Sequence, residues 1–565
     1  MAILHTSRRT IVDPEDNTRR VPLPKLPLKI NNQTINEVPY YKYLGILIDS
    51  QLRWKEQDQR AVANTTKWLL QFRRLTKPST GTSAKLMRQL YISVALPKIT
   101  YGLDIWYTPP SKKPGQTKNS GSAAALRQLQ KTQRIASLAI IGALRTTPND
   151  YADAHAGLLP MEHALRKATY RAIIRILTLP PNHPLHEVVK TIKDNPPTRH
   201  ASPIANLLRI YKLTNAKLET ITPSNQLSRP TNKFTTKISN SREESITNEK
   251  EDKADFKVFS DGSGLDGGIG AAAIIYSKER NTPINHLKKY IGPKEKHNTY
   301  EAEIVGALLA TWIIRCCPSM VAKTVSLYIN NQAVIQTIGN PKAKPGQHLL
   351  RQLNLLANSL ACNLKIRWIS SHSKVKGNEK VDELAKEAAL GKSSPRNKLP
   401  HQLRDLLPAS ASAAKQQFHE MLKEKWKEEW NNSDRGRKLA IIDEDFPFNA
   451  FQNRTNQLTR HQASLMIQIR CGHLPLNAYL ARIGKTDTEY CQGCMENEGG
   501  LQCRETVKHY IFKCTTYAQE REELIENIKL SHFNLRKIMA DTDQMRHLAT
   551  YINKTGRLKQ QRHQN

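Results

Sequence analysis

The sequence predicts an α/β domain with a mixed sheet, set between a mainly helical N-terminal region and a small C-terminal metal-binding module. Three observations carry this. Between residues 255 and 391, short apolar runs bounded by turn residues alternate with stretches whose apolar positions recur every three or four residues. Upstream of about residue 210, the three-and-four spacing dominates. Near the C-terminus, four of the chain's 8 cysteines crowd between Cys491 and Cys514.

In chain order, Tyr43-Leu44-Gly45-Ile46-Leu47-Ile48-Asp49 predicts a strand, and 84–106, 124–144 and 161–178 predict helices. Leu179-Pro180-Pro181-Asn182-His183-Pro184 breaks the pattern and 1–214 forms one region. Residues 215–254 are rich in Ser, Thr, Asn, Lys and Glu with few apolar groups, which predicts a disordered linker. The 255–391 unit predicts strands at 256–260, 268–276, 287–292, 324–330 and 364–369, with a turn at Gly262-Ser263-Gly264. Helices fall at 298–315, 332–339, 346–361 and 377–390. Three antiparallel strands before a helix, and two more joined through helices, make a mixed five-stranded sheet. A second linker is expected at 392–410 and a helical region at 411–485, with Phe418, Leu422, Trp426 and Trp430 on one stripe. The cysteine module spans 486–520, and a basic helical tail spans 521–565.

Charge narrows the function classes. Across 565 residues, 86 Lys+Arg stand against 50 Asp+Glu, a net +36. An excess spread along the whole chain predicts a polyanionic partner, nucleic acid, bound in a salt-dependent way. The cysteines are too few for a disulfide scaffold. No apolar run reaches the roughly 20 residues of a membrane span, and the N-terminus lacks a signal-peptide core. An intracellular protein of nucleus or cytoplasm is expected, with no membrane partner and its oligomeric state open.

Two clusters carry candidate chemistry. Asp261, Glu303, Asn330 and Asp382 each end a predicted strand or open a predicted helix, so one sheet edge would gather them. Glu301 competes with Glu303, and Glu379 and Glu383 compete with Asp382. Three carboxylates brought together suit hard divalent cations such as Mg²⁺ or Mn²⁺ and phosphodiester cleavage. Asn330 sets an amide where that chemistry wants a carboxylate. Cys491-x₂-Cys494, then fourteen residues, His509, four more and Cys514 suit a closed tetrahedral Zn²⁺ site of structural type, with Cys503 as a substitute ligand.

The 255–391 segment resembles a type 1 ribonuclease H domain. The resemblance rests on five motifs in order: Ser260-Asp261-Gly262-Ser263, Ala302-Glu303, Asn331-Gln332-Ala333, Trp368-Ile369-Ser370-Ser371-His372, and Gly377-Asn378-Glu379 with Val381-Asp382-Glu383-Leu384-Ala385. It implies metal-dependent endonucleolytic hydrolysis of the RNA strand of RNA–DNA hybrids. By position it implies that Asp261 bridges two Mg²⁺, Glu303 binds the first and Asp382 the second, and that His372 shuttles a proton. The family has an aspartate where this chain has Asn330, and often a glycine where it has Lys374. The alternative expectation is a catalytically impaired nucleic-acid-binding relic.

Tyr43–Asp49, Leu96-Pro97-Lys98-Ile99-Thr100-Tyr101-Gly102 and Ile141-Gly142-Ala143-Leu144-Arg145-Thr146-Thr147-Pro148 resemble the post-palm and thumb part of a non-LTR (LINE-like) retrotransposon reverse transcriptase. The cysteine string resembles the C-terminal knuckle of such polyproteins. No Tyr/Phe-x-Asp-Asp polymerase motif occurs, so polymerase activity is not expected of this chain.

Overall fold

A computed structural model describes the chain apart from residues 1, 8–9, 24–26, 32, 78–80, 113–116, 118, 198–200, 224–231, 280–281, 372–373, 498–501, 529–532 and 559–565. The chain divides into two compact units, one of residues 1–169 with 421–565 and one of 170–420. The expected boundaries at 214/215 and 410/411 fall inside the second unit. Among the described residues no helix is long and apolar enough to cross a membrane.

The second unit contains the sheet domain. Its elements are β1 (Thr235–Lys237), α1 (Arg242–Lys250), β2 (Phe256–Leu265), β3 (Gly268–Ser277), β4 (Pro283–Pro293), α2 (Thr299–Cys316), β5 (Thr324–Ile329), α3 (Gln332–Ile338), α4 (Gln347–Asn358), β6 (Asn363–Trp368) and α5 (Lys376–Ala389). The sheet order is β1-β6-β5-β2-β3-β4. β1, β6, β5 and β2 run parallel, and β3 and β4 pair antiparallel. Side chains alternate across it. Val258, Ala271, Ala273, Leu327 and Ile329 share a core with α2 and α4. Phe259, Ala272, Ile274 and Tyr328 pack with Val381, Leu384 and Ala385 of α5. Period-two apolar strands meeting helices on both faces are what bind this layer together, at about 1.5–3 kcal/mol per large buried side chain.

Several expectations need correction. The sheet has six strands, not five. The sixth, β1, comes from the stretch expected to be disordered. Phe234 is buried, Thr235–Lys237 pair with Lys365–Arg367, and α1 is capped by Ser241. The open edge of β6 supplies the hydrogen-bond partners that this polar stretch lacks on its own. Residues 224–231 of that stretch lie outside the described residues. β2 does not end at Ser260 but runs to Leu265. The tight turn is Asp266-Gly267, both at positive φ (48° and 80°), rather than Gly262–Gly264. Asp-Gly is the two-residue hairpin signal. The 392–410 stretch is likewise anchored: Leu399 and Leu403 are buried in the sheet core, and Ser394 bonds both the N–H and the C=O of Lys288 on β4.

Elsewhere in this unit Tyr170 stacks on Phe418 at 3.9 Å within a small core that includes Leu207, Leu208 and Ala411. Glu219, fully buried, accepts from the Gly346 N–H at 2.7 Å and the Ala411 N–H at 2.8 Å.

In the other unit, Tyr43–Asp49 is not one strand. Tyr40–Tyr43 pairs with Ile46–Asp49 around Leu44-Gly45, both at positive φ. The expected 84–106 helix is Ala84–Leu90, a wider turn over Tyr91–Ala95, and Leu96–Ile99. It restarts at Leu103 after Gly102 at φ 59°. Helices Ala123–Ile141, Arg460–Cys471 and Thr542–Lys554 share one core through Ile140, Met466 and Leu548.

Candidate active site and metal centre

Asp261 lies inside β2, on the parity of Phe259, and therefore on the α5 face. Gly262 takes the opposite face, under α2. A Cβ there would sit 2.4 Å from the Glu303 nitrogen and 2.7 Å from the Ala302 Cβ. A Cβ on Gly306, one turn on, would meet the Asp261 oxygen at 2.8 Å. These two glycines let α2 lie against β2 and bring Glu303 to Asp261. Glu301 does other work. It completes a capping box, its N–H bonding Asn298 Oδ1 at 3.0 Å and its carboxylate accepting the Asn298 N–H at 3.1 Å.

Asn330 follows β5. Its carbonyl accepts from Trp368 Nε1 at 2.9 Å, and its Nδ2 donates to Asp261 Oδ1. Asn331 caps α3 through the N–H groups of Ala333 and Val334. Asp382, two turns into α5, faces Asp261 closely enough to raise that carboxyl. Asp261 is pushed up to about 7, first by burial and then by the charge of Asp382, while the Asn330 amide and the Gly262 N–H oppose the rise. Burial, then the charge of Asp261, holds Glu303 well above the usual carboxylate range. Glu303 Oε2 and Asn330 Oδ1 are buried without a hydrogen-bond partner among the described residues. Mutually repelling carboxyls and unpaired hard oxygens fit a hard divalent cation.

His372 lies outside the described residues. Just before it, the Ser370 N–H bonds Ser245 Oγ at 3.3 Å; just after, Lys374 takes φ 58° and bonds Glu379 through its N–H at 3.2 Å. Glu379 and Glu383 are thus turned elsewhere, the latter pairing with Lys380 at 2.7 Å. Sequence reasoning missed Lys386, whose Nζ sits 2.7 Å from Asp382 Oδ2. The i,i+4 spacing from Asp382 was the available signal.

The other unit holds the cysteine cluster. Cys491 follows a small bridge between Tyr490 and Arg504, Cys494 lies on helix Gln492–Asn497, His509 on Val507–Phe512, and Cys514 just beyond. All four are buried, with ligand atoms within 4.8 Å of one another. Cys491 and Cys494 sulfurs each lie 3.7 Å from that of Cys514, and Cys494 Sγ lies 3.5 Å from His509 Nε2. A tetrahedron with ~2.3 Å Zn–S and ~2.0–2.1 Å Zn–N bonds has S–S edges of ~3.8 Å and S–N edges of ~3.6 Å, so the spacing fits zinc. Cys503 stands outside the quartet, its carbonyl accepting the Cys491 N–H at 2.8 Å. The Cys491 thiol is pushed up by its hydrogen bond to the Cys514 sulfur and by burial. Arg557 grips buried Glu505 at 2.7 Å through two nitrogens, four residues before His509.

Residues 253–390 match the RNase H family model, so this part of the chain carries an RNase H domain. No curated protein matches the chain significantly. Among solved structures, the N-terminal RNase H domain of Rv2228c from Mycobacterium tuberculosis is 19% identical over 24% of this chain and 98% of its own, with a TM-score of 0.20. LC11-RNase H1 in complex with an RNA/DNA hybrid is 16% identical over 24% of this chain and 96% of its own, TM-score 0.21. The foamy viral protease-reverse transcriptase in complex with an RNA/DNA hybrid is 11% identical over 63% of this chain and 53% of its own, TM-score 0.22.

Proposed function

We propose that the 253–390 domain hydrolyses the RNA strand of RNA–DNA hybrids with the help of divalent cations. The observation that carries this is the convergence of Asp261, Glu303, Asn330 and Asp382, with buried oxygens left unpaired, inside an RNase H domain. Asp261, Glu303 and Asp382 would hold Mg²⁺ or Mn²⁺ through carboxylate oxygens, and Asn330 through Oδ1. A bound cation supplies Lewis-acid polarisation of the phosphate and an activated water. The chain's own part is preorganisation. Gly262 and Gly306 keep α2 against β2, Trp368 pins the Asn330 backbone, and Asp261 releases its proton to become a ligand. His372 is assigned the proton shuttle beside the scissile phosphate. The net +36 supports a grip on the nucleic-acid backbone.

Cys491, Cys494, His509 and Cys514 are assigned to one structural Zn²⁺. With the motif resemblances in 1–214, they support a retrotransposon-derived, intracellular nucleic-acid-binding protein. One observation favours a second reading, a catalytically impaired binder: the Asn330 amide spends its N–H on the very carboxylate that a cation would need. The test is a labelled hybrid incubated with Mg²⁺ or Mn²⁺ and wild type, Asp261→Asn or Asn330→Asp. Wild type should cut slowly, Asp261→Asn not at all, and Asn330→Asp at least about tenfold faster, one lost ligand charge being worth several kcal/mol at short range. If neither wild type nor Asn330→Asp cuts while both still bind the hybrid, the binder reading replaces the nuclease.

A further inference from the structure

We infer that Lys386 is a built-in cation of this site, and that with it the site takes one divalent ion rather than two. The inference rests on the nuclease reading above only for the identity of the ligands. Lys386 Nζ lies 2.7 Å from Asp382 Oδ2. Its side chain is 47% exposed, so it flanks the ligand cluster from the solvent side of α5. Among the described residues it is the one cationic side chain that an ion pair ties to the quartet.

Charge then decides the stoichiometry. Asp261, Glu303 and Asp382, ionised as ligands, bring three negative charges, and Asn330 brings none. Two dications would leave the pocket positive even before Lys386 is counted. They would also repel each other four times as strongly as two unit charges at the same separation, which is ~4 Å in two-metal sites. With the Lys386 ammonium in place, the three carboxylates keep two net negative charges, which one Mg²⁺ neutralises. Lys386 reaches Asp382 from the same helix without strain, four residues on, where side chains on one helix face meet. A divalent ion would compete with Lys386 for Asp382 Oδ2 and with the neutral Asn330 amide for Asp261 Oδ1, whereas Glu303 Oε2 and Asn330 Oδ1 are unpaired among the described residues. Glu303, Asn330 and Asp261 are therefore the residues that would hold the single ion.

The test counts ions directly. Mn²⁺ binding to the full-length, zinc-loaded protein is followed by the electron paramagnetic resonance of free Mn²⁺, with Asp261→Asn subtracting sites elsewhere on the chain. Wild type should bind one ion at this site. Lys386→Met should tighten that ion about tenfold, the effect of removing one unit charge roughly 6 Å from a dication in near-aqueous dielectric. Lys386→Met combined with Asn330→Asp should bind two, and Lys386→Arg should behave as wild type. Two ions of comparable affinity in wild type, no ion at all, or an affinity unmoved by Lys386→Met would each overturn the inference. Hybrid cleavage is scored separately. Cleavage with two bound ions refutes the role of Lys386 and spares the nuclease. One bound ion without cleavage in any variant refutes the nuclease and spares the stoichiometry.

Discussion

Asn330→Asp is the perturbation that most directly interrogates the site, because it should lower the stability of the metal-free protein. The amide that donates to Asp261 Oδ1 is replaced by a second carboxylate. Two unit charges ~4 Å apart at an effective dielectric of ~20 repel by about 4 kcal/mol. The pair does not carry that in full, since Asp261 already titrates at about 7 and can keep a proton. The cost therefore depends on pH. A carboxyl raised in the folded state stabilises the fold at low pH, and that stability is lost as pH rises from the unfolded value through the folded one. For wild type the window runs from 3.8 to about 7. A neighbouring charge extends it upward. One extra proton held in the folded state costs about 1.4 kcal/mol per pH unit, so about 2 kcal/mol accumulates between roughly pH 7 and 8.5. Calorimetric unfolding of the full chain in EDTA should find the variant close to wild type near pH 6 and clearly less stable near pH 8.5. Mg²⁺ should close the gap, because the added carboxylate then meets a cation. A variant as stable as wild type in EDTA at the higher pH, or one that Mg²⁺ does not rescue, would refute the electrostatic account of Asn330.

Wild-type Mg²⁺ affinity should fall about tenfold per pH unit below about pH 7, as Asp261 takes up the proton that the cation displaces; titration calorimetry across that range checks it. Gly262→Ala sets a Cβ 2.4 Å from the Glu303 nitrogen, so it should destabilise the domain by about 1–3 kcal/mol and weaken Mg²⁺ binding together, read by calorimetric unfolding and titration. Leu399→Ala should cost about 2–5 kcal/mol in a melt, whereas a solvated linker residue would cost almost nothing. Cys514→Ser should abolish a one-to-one zinc content in elemental analysis, and protease should then cut within 486–520, since structural zinc supplies about 10–16 kcal/mol to such modules.

Most of the sheet domain was legible in the sequence because its elements announce themselves twice. β5 is a buried Val-Ser-Leu-Tyr-Ile run, and α2 carries its glycine and alanines where a strand must pass. The clustering of Cys491, Cys494, His509 and Cys514 was legible for a similar reason, since these residues sit on or beside short local helices. What escaped depends on partners distant in sequence. Thr235–Lys237 has no apolar signature and becomes a strand because β6 offers an open edge 128 residues later (Thr235 pairs with Lys365, two past the start of β6 at Asn363). Leu399 and Leu403 read as punctuation between prolines until the sheet core that receives them is known. The early end given to β2 was a local error. Asp266-Gly267 carried the turn, and the flexible Gly262 and Gly264 drew attention from it.

The meaning of Asn330 shows why charge counting along a sequence falls short. Counted alone, it is one missing negative charge, which weakens a metal site and nothing more. Placed against Asp261 it is also a donor, stabilising in the metal-free state the carboxylate that a cation must claim. Lys386 does the same at Asp382. Two of the three carboxylates are thus already partnered by the protein, while Glu303 Oε2 waits unpaired in a buried corner. A site arranged this way keeps its fold without metal and loads metal reluctantly. Its activity should therefore be limited by divalent-ion occupancy rather than by the geometry of its ligands, and raising ion concentration should recover rate that substitutions at Glu303 cannot.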